Sequence, residues 1–389
     1  MLDEIQIFGL LGGLLILAFF ANRLSRRTRV PDILILMGVG LLVGPVAGWI
    51  AAAPFRIFTS YLGTFALILI LFEAGTELNL RETLRHFPAG IVLAFLGYAL
   101  SFAAAASVAH WFLHLPAKSA SLLGAVFGCT SSTMIIPVMQ QLDIRGPVNV
   151  ILVLEAALGD VIAVLTVGSL IDVAEGDPLV AGLLSGILFG TATSIALAIA
   201  AALLWWWISP GFARHRFGSV LHVGVILTVY ALVRVAGGSG LLAVLAFGVT
   251  LANLPPRAPD TAPDFGVFHS DLSFLVRSFF FVLLGVSVEL IAAPYVVATL
   301  LVLAGLFLAR LLSVVASRWS LRGVNRPERR LILSLFPRGL VNAVLAVQVA
   351  TSKGEALAFL PSMAFTIILV TNLLVVYAAI RFRAEGSKP

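Results

Sequence analysis

The chain has 389 residues, of which 60% are hydrophobic and only 11% charged, and its mean hydropathy is +1.07. A soluble domain carries about 25% charged residues, so this composition excludes one. The formal charge of +6 would suggest nucleic acid in a soluble protein, but here the basic residues lie in short separate loops, which indicates membrane topology and no nucleic-acid partner.

Thirteen apolar segments of spanning length follow in chain order: 5–22, 32–50, 60–80, 88–113, 119–142, 147–172, 179–208, 218–235, 239–254, 266–290, 294–317, 328–350 and 356–380. They run apolar without alternation, which excludes a barrel and predicts an all-α polytopic membrane protein embedded in a lipid bilayer. Segment 5–22 has no basic region before it and reads as a retained first helix rather than a cleaved signal. With the N-terminus outside and the segment ends taken to within a few residues, 18 of the 25 Lys and Arg fall in or at the edge of inner loops, 4 in or at the edge of outer loops and three (Arg277, Arg310 and Arg338) deep within spans. This bias predicts an N-out, C-in protein of the cell's inner membrane. Residues 1–389 read as a single transmembrane domain without a soluble domain, any cytosolic regulatory domain being absent or cut away. Pro255, Pro256 and Pro263 punctuate a loop joining two halves.

Two segments carry breaks near mid-span. The fifth contains Thr130, Ser131, Ser132 and Thr133, with Pro137 after them; the twelfth contains Pro337, Arg338, Gly339 and Asn342. Pro removes a helix hydrogen bond, Gly weakens the helix, and Ser and Thr hydroxyls compete for backbone partners. Seven crossings separate the two segments, so they run in opposite directions. Interrupted helices at matching positions of inverted halves point to a secondary-transporter site. Two kinked helices with ordinary polar packing are the alternative.

The sixth segment holds two acids, Glu155 and Asp160. A carboxylate at bilayer centre costs about 2.5–3.5 kcal/mol on insertion scales, so each needs a function or a partner. Five residues turn a helix by about 140°, so the two acids have different neighbours. At 1.5 Å per residue Glu155 lies about 12 Å from the inner end of its segment and Arg310 about 10 Å from the inner end of the eleventh, which predicts a structural ion pair. Asp160, about 20 Å deep, has no such partner and is the predicted ion and proton site. Glu73 and Arg277 are expected to form a second structural pair, with Glu73 lining the inner funnel as the lesser alternative. Asp32 reads as a helix cap, and Glu77, Asn79 and Glu82 as a solvated face. His110 and His114 are spaced for a metal but lack a third ligand, so packing is the expected role. Trp205, Trp206 and Trp207 suit an interfacial belt. Cys129 alone forms no disulfide framework, and no cofactor motif is present.

The stretches RVPDILILMGVGLLVGP, LILFEAGTELNLRE, CTSSTMIIPVMQQLD, LEAALGD, FLVRSFFFVLLGVSVEL, FLARLLSV and FPRGLVNAVLAV together resemble the monovalent cation/proton antiporter superfamily over nearly all of its membrane domain. The resemblance implies the sodium/proton antiporter fold, with two crossed, unwound helices. It implies a homodimer in which helices 1–3 and 8–10 form the dimer bundle and helices 4–6 and 11–13 the ion-transporting core. It implies that Asp160 binds the cation, with Thr130, Ser131 and Ser132 from the unwound fifth helix and with Glu155 close by. Glu155 with Arg310 looks like the pair of the electroneutral NhaP-like branch, Arg338 like the arginine of the broken helix, and the Ser-Ser-Thr run like the potassium-efflux (Kef-like) branch. Gly159 departs from the Asn or Asp usual before the aspartate. The expected activity is electroneutral, elevator-type exchange of Na⁺ for H⁺ serving pH homeostasis, with K⁺ or Li⁺ as alternative cations.

Other classes are weaker. An intramembrane aspartyl protease needs two aspartates sharing a proton, and no second one lies mid-span. A sodium-coupled organic-anion symporter would use Arg338 to hold a carboxylate. A channel would need a filter-like carbonyl ring. The expectation is a transporter and not an enzyme.

Overall fold

The computed structural model describes residues 4–28, 30–49, 56–77, 80–142, 144, 146–172, 179–211, 217–255, 265–289, 293–321 and 324–386. Among these the regular elements are all helical. The long apolar runs force this result, because in lipid each backbone N–H must find its partner within its own segment.

The helices are α1 (Glu4–Thr28), α2 (Asp32–Leu41), α3 (Arg56–Glu77), α4 (Leu80–Ser107), α5 (Ala117–Phe127), α6 (Ser132–Gln141), α7 (Pro147–Asp172) and α8 (Leu179–Ile208), followed by α9 (Gly218–Val235), α10 (Gly240–Asn253), α11 (Phe265–Val286), α12 (Ala293–Ala316), α13 (Arg326–Ser334), α14 (Leu340–Lys353) and α15 (Leu360–Gly386). Nine stretches among the described residues are long and apolar enough to cross a membrane. Four shorter apolar helices, Leu11–Ser25, Asp32–Val46, Gly240–Asn253 and Leu340–Ser352, accompany them. The loop residues Glu77 (side chain), Asn79, Glu82 (side chain), Pro256 and Pro263 lie outside what is described.

Two neighbourhoods of packing emerge. In the first, α11 lies on α1, α2 and α3, and α10 lies on α3, α8 and α9. In the second, α4 lies on α5, α7 and α12, and α15 packs on α12, α13 and α14. Helix α14 also touches α3, and α7 touches α8, so the two groups share a face.

Glycine allows the tightest approach in the first group. A Cβ on Gly40 would stand 2.2 Å from the Val282 carbonyl oxygen, and one on Gly285 2.5 Å from that of Met37. Helices α2 and α11 therefore meet backbone to backbone, as small residues permit in membranes. This contact brings Asp32 to Arg277, while Glu73 and Arg277 line one cavity. Asp32 and Arg277 each lie eight residues before these glycines, on helices that run side by side. Arg277 Nη2 accordingly lies 3.3 Å from Asp32 Oδ2. Asp32 Oδ1 also accepts from the Ile33 N–H at 3.0 Å, so its capping role is local and shared with the ion pair.

The tryptophan expectation falls out differently. Trp205 is buried against His222, Trp206 Nε1 donates to the Pro255 carbonyl at 2.9 Å, and only Trp207 is largely exposed, so the three do not form one belt. His110 Nδ1 lies 2.9 Å from the Leu115 carbonyl, a turn contact at the end of α4. No cluster of three metal-ligating side chains exists among the described residues.

Candidate ion-binding site

The fifth apolar segment splits into α5 and α6, with residues 128–131 out of helix between them. The twelfth splits into α13 and α14, with residues 335–339 extended between them. The two breaks touch: the Ser131 N–H donates to the Pro337 carbonyl at 2.9 Å. A Cβ on Gly339 would stand 2.2 Å from Ser131 Oγ, so only glycine fits the crossing.

Breaking two helices inside a protein exposes four helix ends, each with orphan backbone groups. Side chains satisfy many of them. Arg338 points a guanidinium N–H from Nη1 at the Cys129 carbonyl, just past the C-terminal end of α5. Arg310 serves the other half in the same way: its Nε and Nη2 donate to the Ile332 carbonyl in the last turn of α13, at 3.0 and 2.8 Å. A buried arginine thus faces the negative end of each broken half-helix, where a cation is favoured. Asn342 ties the two breaks together. It accepts from the Gly339 N–H at 2.9 Å through Oδ1 and donates to the Val126 carbonyl at 2.7 Å through Nδ2. Asn372 Nδ2 donates to the Arg338 carbonyl at 2.9 Å, and the Arg338 N–H donates to Thr371 Oγ1 at 3.2 Å.

Asp160 sits on α7 beside the start of α6 and has no exposed surface. Ser132 donates to Asp160 Oδ2 twice, from its hydroxyl at 2.6 Å and from its backbone N–H at 3.3 Å. The carboxylate therefore faces the positive end of the α6 half-helix. Its other oxygen, Oδ1, is buried without a protein hydrogen bond. A buried carboxylate oxygen without a partner is costly unless a proton or cation fills the position.

The predicted site residues do not all converge. Ser132 reaches Asp160. Ser131 does not: its hydroxyl bonds Thr133 Oγ1 at 2.8 Å and its backbone belongs to the crossing. Thr130 lines a small enclosed pocket together with Gly159, Glu155, Arg310 and Arg338. Glu155 turns away from Asp160 and receives both terminal nitrogens of Arg310, Nη1 on Oε1 and Nη2 on Oε2 at 3.2 Å. Both members of that pair are 3% exposed. A Cβ on Gly159 would meet Cys129 Cβ at 3.3 Å, so a larger residue there would press on the α5 break.

Sequence reasoning overlooked Thr371 and Asn372, and also Ser101, whose Oγ accepts from Arg338 Nη2 at 3.3 Å. The adjacent Thr and Asn in the otherwise apolar middle of α15 were the available signal.

Two cavities lie near the neighbours of Asp160. One of about 570 Å³ is lined by Glu73, Asp271, Arg277, Ser132 and Thr133, so it reaches the residue that holds Asp160. The other, of about 350 Å³, is lined by Val164, Asp172, Arg234 and Gln348; Val164 lies one helical turn beyond Asp160 on α7. Glu73 lines the first of them.

Crossed, interrupted helices around a buried carboxylate define an ion-coupled secondary transporter. Residues 14–380 match the family description "Sodium/hydrogen exchanger, transmembrane", and the chain belongs to that family. It is 27% identical to Na(+)/H(+) antiporter 1 of Methanocaldococcus jannaschii over 367 residues, which cover 90% of this chain and 84% of that one. It is 26% identical to the K(+)/H(+) antiporter NhaP2 of Shewanella oneidensis over 402 residues, covering 99% of this chain and 68% of that protein. The solved structure of the sodium proton antiporter MjNhaP1 of M. jannaschii at pH 8 has the same fold, with a TM-score of 0.80 at 24% identity, covering 97% of this chain and 96% of that one.

Proposed function

We propose that the protein exchanges a monovalent cation, Na⁺ in the first instance, for H⁺ at Asp160. The observation that carries this reading is the unpartnered Oδ1 of a fully buried carboxylate whose Oδ2 is held by Ser132 at a half-helix N-terminus. A proton on Asp160 and a cation on Asp160 are alternative ways to neutralise it. Competition for one carboxylate couples the two fluxes. Ser132 Oγ, 2.6 Å from Oδ2, is a protein oxygen able to share the cation, and Thr130 lies beside Gly159 at the same break.

The α4–α7 and α12–α15 group, which contains both breaks, acts as the moving core, in an elevator motion against the α1–α3 and α8–α11 group. The latter provides a homodimer interface. With the N-terminus outside and the C-terminus cytoplasmic in the inner membrane, the Glu73 cavity is the cytoplasmic vestibule, and its acidic residues concentrate cations before Asp160. The exchange is electroneutral and serves pH homeostasis. Arg338 remains a fixed charge at the α5 end. K⁺/H⁺ exchange is the second reading, favoured by the similarity to the S. oneidensis protein.

The test is dye-reported proton flux in proteoliposomes with inward gradients of Na⁺, K⁺ and Li⁺ applied separately. Na⁺-driven proton efflux supports the reading. A response to K⁺ alone moves it to the second, and no response to any of the three overturns it.

A further inference from the structure

We propose that the groove between α12, α13 and α15 binds one anionic phospholipid, with Arg330 and Arg381 at the phosphate and the acyl chain against Phe307, Phe336 and Tyr377. The groove has a volume of about 470 Å³, and these five residues line it together with Leu374. Its two ends differ chemically. Arg330 and Arg381 mark one end, and aromatic and aliphatic side chains form the rest.

Depth places the basic end at a headgroup. Arg330 lies four residues after the start of α13, about 6 Å along the helix axis, and Arg381 lies at the end of the apolar stretch Leu360–Phe382. Both therefore sit at the same membrane boundary, where long basic side chains reach for phosphates. Charge complementarity selects an anionic lipid. Helix α13 presents Arg326, Arg329 and Arg330 as exposed side chains. Its one acid, Glu328, closes the helix start: its carboxylate accepts from the Asn325 N–H at 3.1 Å and its own N–H donates to Asn325 Oδ1 at 2.9 Å, so α13 carries a net positive charge. The apolar part selects a chain-bearing ligand over free phosphate. Phe307, Leu374 and Tyr377 are 51%, 45% and 64% exposed, on the outer surface of helices that cross the membrane.

The groove also touches the transport machinery. Phe336 packs edge-on against Phe307, with ring centroids 6.0 Å apart, and precedes Pro337, whose carbonyl receives the Ser131 N–H. A lipid seated there bears on the half-helix α13 and on the break that follows it. The lipid content of that leaflet becomes an input to the crossing. This proposal does not depend on which ion is exchanged.

The test measures thermal unfolding of the full chain in a neutral detergent with added dioleoylphosphatidylglycerol, dioleoylphosphatidylcholine or sodium phosphate. A ligand that binds only the folded state raises the unfolding midpoint. The phosphatidylglycerol should raise it, and the other two should not. Arg330→Gln/Arg381→Gln should lose that shift while keeping the midpoint seen with phosphatidylcholine. Arg318→Gln, an exposed arginine outside the groove, should retain it. Leu374→Trp, which fills the apolar part and leaves both arginines, should lose it as well and serves if the double variant does not fold. Equal shifts from both lipids, a shift reproduced by phosphate alone, or a full shift in the groove variants would overturn the proposal.

Discussion

Ser131 and Pro337 lie 206 positions apart in the chain, yet the backbone N–H of the first donates to the carbonyl of the second at 2.9 Å. This bond joins two breaks that would otherwise each leave buried backbone groups unpaired. The room for it comes from Gly339, where a Cβ would fall 2.2 Å from Ser131 Oγ and 2.7 Å from Ser131 Cβ.

Gly339→Ala should therefore force the crossing apart. Overpacking of a close contact costs about 1–3 kcal/mol. We expect a lower unfolding midpoint and reduced exchange. Adding Ser131→Ala removes the nearest atom, Oγ, and should recover part of the loss. No recovery would show that the backbone, not the hydroxyl, sets the limit.

The Glu155–Arg310 contact predicts a strong coupling. Both groups are buried, and Arg310 also holds the Ile332 carbonyl at the end of α13. Removing either partner leaves an uncompensated charge, at a cost of about 3–5 kcal/mol. Glu155→Ala and Arg310→Ala should each lower thermal stability sharply. The double variant should lose less than the sum of the two, because the stranded charge is gone. Strictly additive losses would argue against direct pairing.

Much of this architecture is legible in the residues themselves. Continuous apolar runs leave the backbone no choice but helix, and the polar run at Thr130 and Ser131 and the Pro337–Gly339 stretch mark the breaks, because Ser and Thr hydroxyls compete for backbone partners and Pro and Gly weaken a helix. Depth along the helix put Glu155 and Arg310 at one level, and the structure sets their side chains together. Depth alone did not single out Asp32 as a partner of Arg277. Both Glu73 and Asp32 lie within its reach, and the choice is made by the close contact of Gly40 and Gly285, which fixes how α2 slides against α11. Such lateral packing leaves no trace in hydropathy. Asn372 was equally hard to see, since a single amide in an apolar helix has many uses, and only the fold brings it to the Arg338 carbonyl.

Asp160→Asn preserves size and removes the charge. The amide can still accept from Ser132, so the fold should persist with little change in unfolding midpoint. Cation-driven proton flux should fall to the level of empty liposomes, because an amide neither releases a proton nor neutralises a cation. Substantial exchange by a well-folded variant would place the coupling elsewhere, with Glu73 next in line.

Ser132→Ala tests how the carboxylate is held. The hydroxyl bond at 2.6 Å is lost while the backbone bond at 3.3 Å remains. A hydrogen bond to a charged group contributes about 1.5–3 kcal/mol. Ser132 also supplies an oxygen next to the proposed cation position. The variant should need a roughly tenfold or greater cation concentration for half-maximal exchange, since about 1.4 kcal/mol corresponds to a factor of ten. An unchanged half-maximal concentration would remove Ser132 from the cation's surroundings.

The last prediction concerns charge balance. Position 159, next to Asp160, carries a glycine, and Glu155 is engaged with Arg310, so one carboxylate at the crossing is left to titrate. A single carboxylate carries either one proton or one cation, and the two half-cycles then move equal charge in opposite directions. Arg338 does not add to the count, because a guanidinium keeps its proton in proteins. Exchange in proteoliposomes with equal K⁺ on both sides should run at the same rate with and without valinomycin. An exchanger that moved two protons per cation would build up a potential and slow itself, and valinomycin would release it. Faster exchange with valinomycin would therefore require a second titrating group. Glu73, on the wall of the cavity that reaches Ser132, would be the residue to neutralise next, and Glu73→Gln should then restore indifference to the ionophore.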